Sequence, residues 1–156
     1  MRIGHGYDAH RYQEGRPCVL CGITVPSPFG PDGHSDADVA VHALMDALLG
    51  AAALEDIGKL FPPTDPQYKG ISSMLLLRQV CDLLAEKGYR LGNADITIVA
   101  QKPKIGAYTG KMAESIAACM GVDPGRINVK ATTEEKMGFT GDCTGIAAHA
   151  VVLLNE

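Results

Sequence analysis

The sequence predicts an α+β domain, a mixed β-sheet with helices on one face. Apolar and polar residues alternate in DITIVAQ (Asp95–Gln101) and INVKATT (Ile127–Thr133), the period-two signature of strands. Segments of helical period lie between the strand segments, which suggests a sheet covered by helices. The last segment, GIAAHAVVLL (Gly145–Leu154), is apolar at nearly every position, so both of its faces need cover. If helices cover only one face, a second copy of the chain must cover the other, which predicts a homo-oligomer.

Taken in order, the first strand is expected over Arg2–His10 and the second over Cys18–Val25. A loop follows from Pro26 to Ser35. The first helix is expected from about Asp36 to Leu54, opened by Ser35 with Asp38 three residues on, a capping-box pattern. A polar loop, Glu55–Pro66, leads towards a second helix over about Ser72–Lys87 that stops at Gly88. The third strand spans Leu91–Gln101, and Lys102–Gly106 forms a loop. The third helix runs over about Tyr108–Met120 and stops at Gly121. Strand Ile127–Thr133, the loop Thr132–Gly145 and the final strand complete the chain. Long polar loops in a small domain are usually functional or mobile.

At 156 residues the chain is one domain, able to bury about 68–70% of its unfolded surface without staples. No apolar run approaches the roughly 20 residues that span a bilayer, and the start, MRIGHGYDAH, carries no secretion or transit signal. The bacterial cytoplasm is the expected home, or an organelle after trimming. A net charge of −4 and a pI near 5.7 argue against a broad nucleic-acid surface. The absence of Trp leaves little for base-stacking platforms. The cysteines Cys18, Cys21, Cys81, Cys119 and Cys143 are an odd, scattered set, which fits reduced thiols. Cys18-Val-Leu-Cys21 matches C-x-x-C, but CVLCGITV reads as strand rather than the opening of a helix, and no second pair completes a zinc ribbon.

Asp8 and His10 lie two apart on the first strand and so point the same way. With His42 on the following helix they offer one carboxylate and two imidazoles. That set suits a zinc-like ion and leaves a coordination position open. Against this, His42 shares a polar stripe with Asp38 and Asp46, one turn either side, and such a stripe is also what a solvated helix face looks like. If the metal reading holds, Asp38 or Asp46 would orient the imidazole. His34-Ser35 precedes the helix; Ser35 could be its N-cap, and the helix's positive end with His34 could bind phosphate. Glu134-Glu135, beside Thr132 and Thr133, could hold a second cation through a carboxylate and substrate phosphates, or could be a charged turn. The common phosphate loops are absent: GAYTGKM is one residue short of a P-loop, Gly4 and Gly6 fall within a strand, and no nucleophile motif occurs.

Together the stretches RIGHGYDAH, GHSDADVAVHALMDALLGAAALEDIGKLFPPTD, LGNADITIVAQKPKI and INVKATTEEKMGFTG cover nearly the whole chain. They resemble the 2-C-methyl-D-erythritol 2,4-cyclodiphosphate synthase family, the cyclising enzymes of the non-mevalonate isoprenoid pathway. The resemblance implies a chorismate-mutase-like (Bacillus type) homotrimer, its sheets packed around the three-fold axis and its active sites between neighbours. It implies a zinc-like ion on Asp8, His10 and His42, with Ala9 beside the substrate. His34 and Ser35 would contact the reacting phosphates. Asp56, Ile57 and Gly58, with Phe61, Pro62, Pro63, Thr64 and Asp65, would line the methylerythritol pocket. From the adjacent subunit, Ala100, Gln101, Lys102, Pro103, Lys104, Ile105 and Gly106 would wrap the cytosine. Thr132, Thr133, Glu134 and Glu135, with Phe139 and Asp142, complete the implied set, Glu135 through a second divalent ion (magnesium or manganese). His34 and Thr133 would be the catalytic donors.

Two positions depart from the family pattern. Asp142 stands where many members carry Arg, a residue associated with anion binding in the trimer's central cavity, and Glu134 stands where many carry Thr. An Asp at that place predicts no tight binding of isoprenoid diphosphates. Two other functions use the same residues. A metal-dependent phosphohydrolase would send a metal-bound water to phosphorus, although the sequence names no clear base for that water. A non-catalytic metal or nucleotide-binding module would bind without turnover.

Overall fold

The structure, a computed structural model, describes residues 1–156. A five-stranded sheet runs in the order β4-β1-β7-β5-β6, from β1 (Arg2–Glu14), β4 (Phe29–Pro31), β5 (Arg90–Val99), β6 (Ile127–Thr132) and β7 (Gly145–Asn155). Only β5 and β6 pair in parallel; the other neighbours are antiparallel, so the sheet is mixed as expected. The parallel pair is joined through helix α4 (Thr109–Met120), the crossover that parallel strands require. No helix is long and apolar enough to cross a membrane.

One face of the sheet is packed and the other open. Gly4, Gly6, Ile146, Ala148, Ala150, Val152, Ala94, Ile96 and Ile98 point to the buried side. On the opposite side Ile3 is 74% exposed, Tyr7 47% and Val151 46%. The packed side carries α1 (Val39–Ala51) directly on β1. A Cβ on Gly4 would lie 1.8 Å from the Ala47 carbonyl oxygen, and one on Gly6 would lie 1.9 Å from that of Ala43. Backbone meets backbone here because neither glycine has a side chain to hold the helix off. Helix α1 is buried nearly all round, between the sheet and α3 (Ser73–Glu86). Only His42, Asp46 and Gly50, at successive turns, escape burial, so one edge of a core helix is left polar.

Several boundaries differ from the sequence reading. Strand β1 continues to Glu14 and there pairs with β4, inside what reads as loop. Cys18–Val25 is not one strand but a hairpin, β2 (Cys18–Leu20) and β3 (Ile23–Val25). Its two turn residues, Cys21 and Gly22, both have positive φ, as a tight hairpin turn requires. The C-x-x-C pair brackets this turn; Cys18 and Cys21 are the two fully buried cysteines of the five, and burial pushes the Cys18 thiol up to about 11, opposite to a reactive thiolate. The first helix starts at Val39, with Asp38 rather than Ser35 as its N-cap. The ends of α3 and α4 fall where Gly88 and Gly121 adopt left-handed φ. The loop Glu55–Pro66 contains a single turn, α2 (Ile57–Leu60), and the loop after β6 contains another, α5 (Gly138–Gly141).

Candidate metal centre and substrate pockets

The close seat of α1 on β1 sets His42 above Asp8 and His10. Asp8 Oδ2 lies 2.9 Å from His10 Nε2 and 3.0 Å from His42 Nδ1. Ligand atoms of the three residues all fall within 4.8 Å of one another, half-buried at the edge of the helix–sheet interface. The structure therefore resolves the two readings of His42: its ring turns onto β1, not into solvent.

The chemistry of the donor set tests whether a cation fits. His10 Nδ1 is 2.7 Å from the Asp32 carbonyl oxygen, which can only accept, so Nδ1 carries the proton and Nε2 presents a lone pair. A carboxylate oxygen, that lone pair and a ring nitrogen of His42 converge on one point. Such a group of acceptors attracts positive charge, either a proton or a metal ion. Burial pushes the Asp8 carboxyl up, but its close contacts with the His10 and His42 rings outweigh that and hold it at about 2. Burial pulls His10 down, but the bond to Asp8 outweighs it and its pKa is raised. The residues fit a divalent ion with nitrogen and oxygen ligands.

The partners behind His42 differ from those expected. Asp38 is fully buried and accepts from the amides of Cys21 (2.9 Å), Gly22 (2.8 Å) and Val41 (3.2 Å). Asp46 accepts from the Ile57 amide at 2.9 Å and so ties α2 to α1. Neither carboxylate bonds the His42 ring; Asp38 meets His42 only through its carbonyl, which accepts from the His42 amide at 3.0 Å. The ring Nε2 instead meets Ser73 Oγ at 2.9 Å and Ser35 Oγ at 3.2 Å. Ser73, at the start of α3, lies thirty-one positions along the chain, and no spacing rule connects it to His42. The positive end of α1 is likewise met by the Asp38 carboxylate, so it is not the free phosphate site that Ser35 as N-cap would leave.

A cavity of about 230 Å³ opens beside the metal triad, bounded by His34, Ser35, His42, Ile57, Gly58 and Phe61 among others. Asp56 caps α2 by accepting from the Lys59 amide at 3.0 Å. Asp65 accepts from the Gln67 amide, and its carbonyl meets His34 Nε2 at 3.3 Å. Pro62, Pro63 and Thr64 form the turn between them. Of the residues the resemblance places in the methylerythritol pocket, Ile57, Gly58, Phe61 and Pro63 line this cavity, whereas Asp56, Pro62, Thr64 and Asp65 do not. On the other side of His10, Ala9, Phe139 and Gly145 border a second cavity of about 340 Å³.

The remaining segments gather elsewhere in the same subunit. Ala100, Pro103, Lys104, Ile105, Gly106, Thr132 and Thr133 line a separate cavity of about 190 Å³. The sheet register explains its level: Ala9 pairs with Ala147, Ala147 with Val99, and Val99 with Thr132. One row across the sheet thus carries Asp8–His10, the start of the Ala100–Gly106 loop and the start of Thr132–Glu135. Along that row the last two lie two and three strand spacings from β1, roughly 10 and 14 Å. Gln101 Oε1 accepts from the Lys136 amide at 3.2 Å and Tyr12 donates to the Lys102 carbonyl at 2.7 Å, which tethers the loop. Thr133 Oγ1 donates to Glu135 Oε1 at 2.8 Å. Glu134 accepts from the buried Thr140 hydroxyl, a bond that holds α5 against the loop. Asp142 Oδ1 accepts from the Thr144 amide and hydroxyl, and these bonds keep its carboxyl below its ordinary range.

Comparison with known proteins accords with this geometry. The chain is 61% identical over 99% of its length to the 2-C-methyl-D-erythritol 2,4-cyclodiphosphate synthase of Symbiobacterium thermophilum, covering 98% of that protein. It is 57% identical over its whole length to the enzyme of the same name from Syntrophotalea carbinolica, covering 95% of it. A solved 2C-methyl-D-erythritol-2,4-cyclodiphosphate synthase in a CDP-bound form superposes with a TM-score of 0.90 at 42% identity, over 99% of this chain and 100% of that one. The family model that matches residues 1–155 is that of the YgbB family, and the chain belongs to it.

Proposed function

We propose that the protein is the lyase that converts 4-diphosphocytidyl-2-C-methyl-D-erythritol 2-phosphate to 2-C-methyl-D-erythritol 2,4-cyclodiphosphate and CMP, a step of the non-mevalonate isoprenoid pathway in the bacterial cytoplasm. An oxygen of the 2-phosphate bonds to the β-phosphorus while the bond from that phosphorus to the CMP oxygen breaks. The observation that carries this reading is the convergence of Asp8, His10 and His42 beside the pocket of His34, Ile57 and Phe61, in a chain collinear with synthases of that name.

Nucleophile and electrophile belong to one molecule, so the chain needs no nucleophile of its own, in keeping with the missing motifs. What it must do is hold two mutually repelling phosphates in line, and such positioning is worth about 7–11 kcal/mol in favourable cases. Asp8, His10 and His42 would hold a zinc-like ion. Glu135, whose second carboxylate oxygen is not engaged by Thr133, would hold magnesium or manganese with the diphosphate. Bound there, the ions supply Lewis-acid charge neutralisation at phosphate oxygens. His34, exposed at the pocket mouth, and Thr133 donate to oxygens on which charge develops. Asp56–Gly58 and Phe61–Asp65 enclose the methylerythritol unit, and Ala100–Gly106 receive the cytosine largely through backbone groups.

Assembly as a homotrimer, chorismate-mutase-like, is part of the same proposal. Two features support it: the open sheet face with Ile3, Tyr7 and Val151 exposed, and the separation of the metal pocket from the base-loop pocket within one chain. A neighbour's base loop would close the site. Light scattering should then give a mass of roughly three times 16.5 kDa. Phosphorus NMR of the protein with the cytidylyl substrate, zinc and magnesium or manganese tests the reaction. A cyclic diphosphate with CMP supports it. CMP with a linear diphosphate would mean that water is the nucleophile and would replace the synthase with a phosphohydrolase.

A further inference from the structure

Behind the metal triad lies a hydrogen-bonded chain whose direction the geometry fixes. Ser73 is 0% exposed and its amide donates to Asp36 Oδ2 at 3.0 Å. Its hydroxyl donates to Asp36 Oδ1. A serine hydroxyl has one hydrogen, and here it is spent on the carboxylate. What Ser73 Oγ turns towards His42 Nε2, 2.9 Å away, is therefore a lone pair, and the ring must donate to it. Ser35 Oγ, 3.2 Å from the same nitrogen, accepts from the Ala37 amide and has a second lone pair for the ring, so it is compatible with the direction that Ser73 sets. Asp36 is itself fixed: its Oδ1 accepts from the Asp38 amide at 3.3 Å, and its own amide donates to the Ile71 carbonyl at 3.0 Å.

We infer that Asp36 and Ser73 are positioning residues that pin the His42 proton on Nε2 and so keep Nδ1 free as the metal ligand; this rests on the metal reading of Asp8, His10 and His42. The relay has a definite opponent. Asp8 Oδ2, 3.0 Å from Nδ1, attracts a proton to that same nitrogen, and a proton there would occupy the lone pair the metal needs. Without the pull of Asp36 through Ser73, the neutral ring turns to its other tautomer and donates to Asp8. The Asp36 carboxylate also caps α3 through the Ser73 amide, since the Ser72 N-cap makes no side-chain bond of its own. One residue thus ties the start of α3 and the loop before α1 to the metal ligand. Partners of this kind behind a ligating histidine are worth about 10–100-fold in metal affinity.

The experiment uses full-length protein, Ser73→Ala, Asp36→Asn and the double variant. At a pH where the rings are neutral, nitrogen-15 NMR of zinc-free protein should show His42 protonated on Nε2 in the wild type and shifted towards Nδ1 in both variants. Zinc affinity, from competition with a chromophoric chelator, should fall 10–100-fold in each single variant. Because the two act in series, the double variant should lose little more than the worse single one. Melting of the zinc-free variants separates loss of the α3 cap from loss of the relay, and Asp36→Asn carries the test if Ser73→Ala does not fold. Wild-type zinc affinity in the variants, losses that multiply in the double, or a wild-type ring protonated on Nδ1 would overturn the inference. Should the wild type bind no zinc, the metal reading falls, and the tautomer in zinc-free protein still decides whether the relay exists.

Discussion

Replacing Gly6 by alanine tests the contact on which the site depends. The added Cβ would lie 1.9 Å from the Ala43 carbonyl oxygen and 2.7 Å from the Ala47 amide nitrogen. Real Cβ atoms essentially never come within 3.0 Å of a neighbour, so α1 must rise from β1 by at least about 1 Å. Both partners are backbone, and no side-chain rotation relieves the clash. Overpacking costs about 1–3 kcal/mol in ordinary cores, and this rigid case belongs near ~3 kcal/mol. The roughly 0.4–1 kcal/mol that a lost glycine returns through the unfolded chain offsets part of it. At about 2–4 °C per kcal/mol for a chain of this size, Tm should drop by roughly 5–10 °C. The effect on metal is larger in proportion. His42 adjoins Ala43, and metal–ligand distances tolerate about 0.2 Å. A 1 Å lift should therefore lower zinc affinity by at least about 100-fold, and turnover with it. Gly50→Ala is the control, on the same helix with nothing within 4 Å of the new Cβ; it should raise stability by about 0.5–1 kcal/mol and leave zinc binding unchanged. Calorimetry and chelator competition read both. A Gly6→Ala protein that binds zinc as tightly as the wild type and melts within about 2 °C of it would refute the packing argument.

Asp38→Ala should destabilise the fold by at least about 3 kcal/mol in urea unfolding, because the amides of Cys21, Gly22 and Val41 lose their acceptor; a loss under about 1 kcal/mol would mean that water replaces it. Zinc affinity should rise about tenfold per pH unit from pH 6 and level off above the raised pKa of His10, since the proton on that ring competes with the ion; affinity flat between pH 6 and 8 would contradict this. In zinc-free protein the same shift runs the other way for stability. The fold favours protonated His10, so that stabilisation is present below 6.5, the ordinary histidine value, and is lost as pH rises through the raised pKa. Asp38, pushed up to about 6 by burial, contributes stability that is present below 3.8 and gone once pH has passed about 6, before the histidine interval is complete. Isoprenoid diphosphates should bind only weakly, because Asp142 is an anion fixed by Thr144; native mass spectrometry that finds such a ligand retained in the purified assembly would sink this expectation.

What the sequence made legible was whatever depends on neighbours along the chain. The alternation of β5 and β6, the helix stops at Gly88 and Gly121 and the pairing of Asp8 with His10 on one strand face are local, and the structure has them. The first helix is three residues shorter at each end than the expected Asp36–Leu54, at its start because Ser35 with Asp38 imitates a capping box. The structure spends Ser35 on His42 and Ala37 and gives the cap to Asp38, whose carboxylate is pulled in by the hairpin amides of Cys21 and Gly22. The hairpin itself was hidden because Cys21 takes positive φ where glycine or asparagine would have announced the turn. Gly4 and Gly6 were visible as residues, but the helix that requires them is some forty positions away. Ser73 belongs to the same class: its tie to His42 is a tertiary contact without a spacing signature.

The arrangement has a logic that follows from the register. Asp8 and His10 reach the packed side of the sheet only because β1 alternates, and they meet His42 only because Gly4 and Gly6 let α1 sit on the backbone. Nothing else on α1 could serve: at the level of the triad the helix is buried all round except along His42, Asp46 and Gly50. Asp46 is taken by the Ile57 amide, which brings α2 and the pocket wall to the same edge. A helix that was polar over a wider arc would lose the core on which the sheet rests, and one without the polar edge would have no ligand to offer. The site is therefore not placed on a finished fold. Its three ligands meet at the one line along which the central helix reaches solvent, two from β1 and one from α1, and the two glycines beneath the helix decide how closely they can share an ion.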